Sequence, residues 1–278
     1  MTPAEAFAVC ETTVRRADED RYLASLFAPT ENRPLLFALY CFNHELARAS
    51  EVARDPLAAE IRLQWWRDAL EAARGGQPRA HPVAVGLAEI LLRDPAQTAD
   101  LEALIHARAI ESSPAPFATL AAMESHARAT SARLMQAAAR LLAGTGEAAD
   151  IIDDAGIAYG LAGMLRSVRF HALRGRLFLP SDLLATEFLS TVDIVSGKNS
   201  ARLKRVFDEV ISCALDHFRR ATQNALPRAV LPAVLPASLV PAYLSRLTKN
   251  ADHLYKRTDI LRLRKQLILA RAALFGAV

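Results

Sequence analysis

Prolines stand in this sequence where helices should begin, and no alternating apolar–polar run bounded by turn residues lies between them. Pro3, Pro34 and Pro56 each open a long stretch whose apolar residues recur at helical steps. A proline at a first helical position loses no hydrogen bond and brings a helical φ with it. The pattern predicts helices from Pro3 to about Asp18, from Pro34 to before Asp55, and from Pro56 to the Gly75-Gly76 stop. Shorter helices follow Pro82 and Pro95. Two long ones run from about Phe117 to Ala143 and from Glu147 to Leu173, parted by Gly144, Thr145 and Gly146. Another spans about Asn199 to Ala225, and a last one Asp259 to Leu274. The fold class is all-α.

Hydrophobic residues make up 52% of the chain and charged residues 23%, a balance that suits one large core and excludes a disordered polymer. Neither an internal repeat nor a Gly/Ser-rich linker divides it, so residues 1–278 read as one domain. The net charge of +4 is spread along the chain, with no basic block, zinc-finger spacing or RNP-like run. No nucleic-acid partner is expected. Cys10, Cys41 and Cys213 are far apart and odd in number, which argues for reduced thiols, with neither a disulfide framework nor a zinc site. The N-terminal stretch carries charges throughout and no apolar h-region, so the expectation is a cytoplasmic protein. The apolar run from Ala229 to Arg246 contains Pro232, Pro236 and Pro241, which suit buried short helices better than a membrane span. Phe117, Leu120 and Met123 read as core.

Four segments carry more specific information: DRYLASLFAPTENRPLLFALYCFNHELARASEV, IRLQWWRDAL, YGLAGMLRSVRFHALRGRLFLPSDLL and, near the end, LRLRKQLILARAAL. In order and spacing they resemble the squalene/phytoene synthase family over nearly the whole chain, RGRLFLP (Arg174 to Pro180) being the most specific match. The resemblance implies an isoprenoid-synthase-type helical bundle around a central cavity, in which two isoprenoid diphosphates condense head to head. Two facing helices of the family present aspartates at i and i+4, one face of each helix, to hold magnesium against the leaving diphosphate.

The chain departs from that pattern at its chemical centre. The second motif falls on Leu165 to Ala172, so Ser167 and His171 stand where aspartates are expected. The first falls on Ala47 to Glu51, with Glu51 as its single carboxylate and Glu45 able to join only after a register slip. A hydroxyl is a weak magnesium ligand and imidazole suits softer metals, so no cofactor is expected unless a prenyltransferase activity survives, which would need magnesium. FNHELA, IRLQWWRDAL and the aspartate-free second motif together resemble the branch that includes the mitochondrial assembly factor of respiratory complex I and its bacterial relatives. That branch implies respiratory-complex subunits as partners and peripheral contact with the inner membrane.

The candidate cavity lining is therefore His44, Glu45, Arg48, Glu51, Gln64, Arg166, Ser167, His171, Arg174 and Arg176. His44, Arg48 and Glu51 share a helix face, which is either a rebuilt polar lining or a solvated surface with an Arg–Glu pair. Arg166, Arg169, Arg174 and Arg176 either bind a diphosphate or lipid headgroup or are solvated helix ends. His44 and His171 read as packed histidines and not as metal ligands. Asp150, Asp153 and Asp154 read as helix-start acids. Of the adjacent Trp65 and Trp66, one should anchor the core and the other border a groove. Three functions stay open: a non-catalytic assembly or isoprenoid/lipid-binding protein, a prenyltransferase using Glu51 and Glu45, and a protein-interaction module.

Overall fold

A computed structural model of the protein describes residues 1–53, 55–144, 148–196, 200–249 and 259–276. Among the described residues there are helices and no strand. Helix α1 (Pro3–Ala17) opens with a reciprocal cap. The Thr2 hydroxyl accepts from the Glu5 amide at 3.3 Å, and the Glu5 carboxylate accepts from the Thr2 amide at 2.8 Å. The short α2 (Glu19–Ser25), which the sequence pattern did not separate from its neighbours, starts where the Asp18 side chain accepts from the Arg21 amide. Proline also occupies the first turn of α3 (Arg33–Glu51), α4 (Pro56–Arg74) and α5 (Pro82–Arg93). Helix α6 (Gln97–Ala107) follows.

The expected helix from Phe117 to Ala143 is a composite. It consists of α7 (Leu120–Ala127), a π-helical turn at Arg128–Ala132 and α8 (Arg133–Ala143). Helix α9 (Ala149–Ala172) passes against this π turn. A Cβ on Gly156 would lie 2.2 Å from the Ala132 Cα, so only glycine permits the approach. Short helices α10 (Ser181–Thr186) and α11 (Thr191–Ser196) lead to α12 (Ser200–Ala221). The proline-spaced segment forms α13 (Leu231–Val234), a 3-10 turn and α14 (Val240–Lys249), and it is buried from Val230 through Val240. Helix α15 (Arg262–Phe275) closes the described chain. Gly146, Glu147 and Asn199, placed at helix boundaries by the sequence reading, lie outside the described residues.

Two apolar clusters form the core. One joins α1, α3, α4, α5, α6, α8 and the α13 region, and the other gathers α7, α9, α12 and α14. Each buried Leu, Ile or Phe contributes about 1.5–3 kcal/mol. Phe117 and Met123 are fully buried, and Leu120 packs on the second cluster. The C-terminal half of α9 belongs to one cluster while α3 belongs to the other. Their facing surfaces define the seam where the candidate site lies.

Candidate functional site

A cavity of about 190 Å³ lies between α3 and α9. From α3 it takes Asn43, Ala47 and Glu51, which repeat every fourth residue and so share a face. From α9 it takes Gly160, Gly163, Met164, Ser167 and His171. Of the residues expected in the lining, the cavity brings together Glu51 from α3 and Ser167 and His171 from α9. His44 is half-buried, with Glu45, Arg48 and Asp18 as its charged neighbours, and is absent from the lining. Glu45 and Arg48 pair at 3.2 Å and line a separate groove of about 390 Å³ between α3 and α4. Trp65, Trp66 and His81 complete that groove, with Trp66 buried in the core beneath it.

The other expected lining residues also lie elsewhere. Gln64 is exposed on the outer face of α4, bonded to Asp68 and Arg67, because Leu63 and Trp66 take the inward positions. Arg166 points away from the cavity, 3.7 Å above the Tyr243 ring, and bonds Asp259. Arg174 is exposed and folds over Phe170. Arg176 is half-buried next to His171, without lining the cavity. The RGRLFLP segment has a local reason to follow α9. Gly175, at φ 72, turns the chain back so that Phe178 stacks on His171 at 4.0 Å.

Residues absent from the sequence motifs complete the cavity. Glu111 accepts from Arg108 Nη1 at 2.6 Å and from His126 Nε2 at 2.9 Å, and Arg108 Nη2 donates to Asn43 at 2.8 Å. Burial pushes Glu111 up, but Arg108 and His126 outweigh it and hold the carboxyl below its ordinary value. Glu51 moves the opposite way: burial, then the nearby Glu111 charge, raises it. His171 is lowered to about 4 by burial, helped by the cations Arg176 and Arg174 against the opposing pull of Glu111. Arg21 is buried at the cavity edge, bonded to Asp18 at 2.7 Å and set over Tyr159 at 4.9 Å.

A second ionic centre lies on the far side of Tyr159, around Asp20. Its carboxylate accepts from Tyr159 at 3.1 Å and Tyr243 at 2.7 Å, and pairs with Lys265 at 2.9 Å. Lys265 also reaches Glu19 at 2.9 Å. Burial opposes the Lys265 charge, yet Asp20 and Glu19 overcome it and raise the ammonium above its ordinary value. This centre holds α2, α14 and α15 together.

Magnesium, which the resemblance to synthases implies, requires several hard oxygens in near-octahedral array. The cavity supplies Glu51, whose carboxyl is biased toward its neutral form, and Glu111, already held by a guanidinium and an imidazole. The facing helix adds Ser167 and His171. These residues do not fit a magnesium cluster. Among the described residues, the one grouping of three His, Cys or carboxylate ligand atoms lies elsewhere, at Glu124, Cys213 and His217.

Comparison with known proteins places this architecture. The chain is 25% identical over 243 residues to "NADH dehydrogenase (ubiquinone) complex I, assembly factor 6" of Homo sapiens, covering 86% of this chain and 73% of that protein. It is 25% identical over 237 residues to a 15-cis-phytoene synthase of Synechococcus elongatus, covering 80% and 76% respectively. A crystal structure of a dehydrosqualene synthase in complex with ligand superposes with a TM-score of 0.82 at 17% identity, covering 98% of this chain and 97% of the other. The sequence profile of squalene/phytoene synthases matches residues 14–266. With an all-α fold, a cavity between the two motif helices and this profile across its length, the chain belongs to the squalene/phytoene synthase family.

Proposed function

We propose that this protein has left synthase chemistry and serves in the assembly of respiratory complex I, as a membrane-peripheral factor built on the synthase bundle. The observation that carries the reading is the cavity lining. Ala47 and Glu51 face Ser167 and His171, and the additional acid Glu111 is held by Arg108 and His126. A diphosphate leaving group needs metal or fixed cationic donors aimed at it, and Arg21 and Arg108 are already committed to Asp18 and Glu111. The volume of about 190 Å³ is below the roughly 300–1,000 Å³ of usual small-molecule sites, and two isoprenoid diphosphates demand more. Similarity to complex I assembly factor 6 supports the same direction. No described helix is long and apolar enough to cross a membrane, so membrane contact would be peripheral.

The test is genetic. Deleting the gene in its host should lower the amount of assembled complex I, and both the wild-type chain and Glu51→Ala should restore it. Unchanged complex I in the deletion strain would remove the proposal. The rival reading is a prenyltransferase that uses Glu51, and the phytoene synthase similarity favours it. It requires Glu51→Ala to abolish function.

A further inference from the structure

Outside the cavity lining, α7 and α12 bring together three side chains that neither the family motifs nor the proposed function uses. Cys213 and His217 are one turn apart on α12 and so share a face. Glu124 on α7 reaches both: its Oε1 lies 3.3 Å from His217 Nε2, and its Oε2 lies 3.8 Å from Cys213 Sγ. All three ligand atoms fall within 4.8 Å of one another. Tetrahedral zinc, with bonds of about 2.0 Å to N and O and about 2.3 Å to S, sets its ligands roughly 3.3–3.7 Å apart. The side chains are thus close to the spacing such an ion imposes.

The surroundings fit the same purpose. His217 Nδ1 lies 2.5 Å from Asp154 Oδ1, the contact that fixes a ligating imidazole with Nε2 directed at the ion. Asp154 is itself clamped by Arg220, through Nε at 3.1 Å and Nη2 at 3.0 Å. Arg220 Nη2 also lies 2.6 Å from His217 Nδ1, and because a guanidinium only donates, zinc on Nε2 requires Nη2 to turn to Asp154 alone. Arg128 Nη2 donates to Glu124 Oε1 at 3.1 Å and leaves Oε2 toward the thiol. His217 is buried while Cys213 and Glu124 are half-buried, so an ion has a path from solvent. Asp154, taken from sequence as a helix-start acid, instead supports a side chain on another helix.

We propose that Glu124, Cys213 and His217 form a zinc site, oriented through Asp154, that ties α7 and α12 across α9. A thiolate, an imidazole and a carboxylate form a mixed borderline-soft donor set that zinc accepts and magnesium does not. Binding displaces the Cys213 thiol proton to solvent, and three protein ligands leave the fourth position to water. The proposal replaces the expectation, drawn from cysteine spacing alone, that the chain carries no zinc site.

The experiment titrates untagged, chelator-treated full-length protein with zinc by calorimetry, and with cobalt(II) by absorption. One ion per chain is expected, with a thiolate-to-cobalt charge-transfer band and a rise in Tm on adding zinc. Asp154→Asn should weaken binding about 10–100-fold. Cys213→Ser, nearly isosteric, should lose the cobalt band and the zinc-dependent rise in Tm. His217→Gln should weaken zinc more than Asp154→Asn does; if it fails to fold, Cys213→Ser alone decides. Cobalt bound without a thiolate band, or zinc affinity unchanged in Cys213→Ser, overturns the proposal.

Discussion

The two ionic centres on either side of Tyr159 contrast in how completely their charges are matched. Around Asp20, two tyrosine hydroxyls and an ammonium converge on one carboxylate, and a neighbouring glutamate shares the ammonium. In the cavity, Glu51 faces Glu111, and burial raises its carboxyl. The first arrangement is what a structural anchor requires, since a buried charge persists only when paired and hydrogen-bonded. The second is unmatched: Glu51 stands with Ala47 on its own helix opposite Ser167 and His171, and the further acid Glu111 is already held by Arg108 and His126. A synthase needs the reverse distribution, with its carboxylates gathered in the cavity.

The largest effect should come from breaking the anchor. Lys265→Met removes the nearer of the two cations on buried Asp20, leaving Arg166 at 3.7 Å, and should cost about 3–5 kcal/mol in urea unfolding; a loss near zero would mean that the hydroxyls and Arg166 suffice. Next comes the packing beside the cavity. Gly156→Ala drives a Cβ into the Ala132 backbone and should cost about 1–3 kcal/mol. Gly163→Ala meets nothing within 4 Å and should be neutral or gain up to about 1 kcal/mol from helix propensity. Equal effects at the two positions would show that α9 does not approach the π turn as described.

The pH dependence of the cavity follows from opposite shifts. His171 is neutral when folded down to about 4, whereas its ordinary value is 6.5. Between these values the unfolded chain binds the additional proton, so the His171 contribution is complete above pH 6.5 and is lost as pH falls toward 4. Glu51 is raised, so its contribution has the opposite sign: present at low pH, and lost as pH rises through its folded value. His171→Asn should therefore flatten the decline in stability below pH 6.5, and Glu51→Gln should steepen it. Smallest of all is the effect of Glu51→Gln at pH 7, within about 1 kcal/mol and of either sign, because the amide removes repulsion from Glu111 while keeping its volume. A loss as large as that of Lys265→Met would erase the contrast between the centres.

Much of the fold was legible because prolines mark the starts of α1, α3, α4 and α5 and because the motif segments keep their order. The short α2, α10 and α11 were not, since helices of six or seven residues give too few turns to show a period. On α3, the face pointing at α9 is Asn43, Ala47 and Glu51, which includes the expected Glu51 but not the His44 and Arg48 grouped with it. Polarity cannot distinguish adjacent positions when both carry polar side chains. Glu111, Arg108 and His126 were missed because they reach the cavity from separate turns remote in sequence from both motifs. Lys265 did leave a signal: it shares an apolar stripe with Leu269 and Ala272, and a lone lysine on a buried helix face calls for a buried acid. Cys213 and His217 likewise show ligand spacing in sequence, whereas Glu124, 89 residues from Cys213, emerges only on folding.

The measurement that bears most directly on the proposed loss of synthase chemistry is diphosphate release from farnesyl and geranylgeranyl diphosphate by the purified protein with magnesium and a reductant. The account predicts release and condensed product no greater than in protein-free controls, with the wild-type chain and Glu51→Ala indistinguishable. Sustained turnover by the wild-type chain that disappears in Glu51→Ala would contradict it.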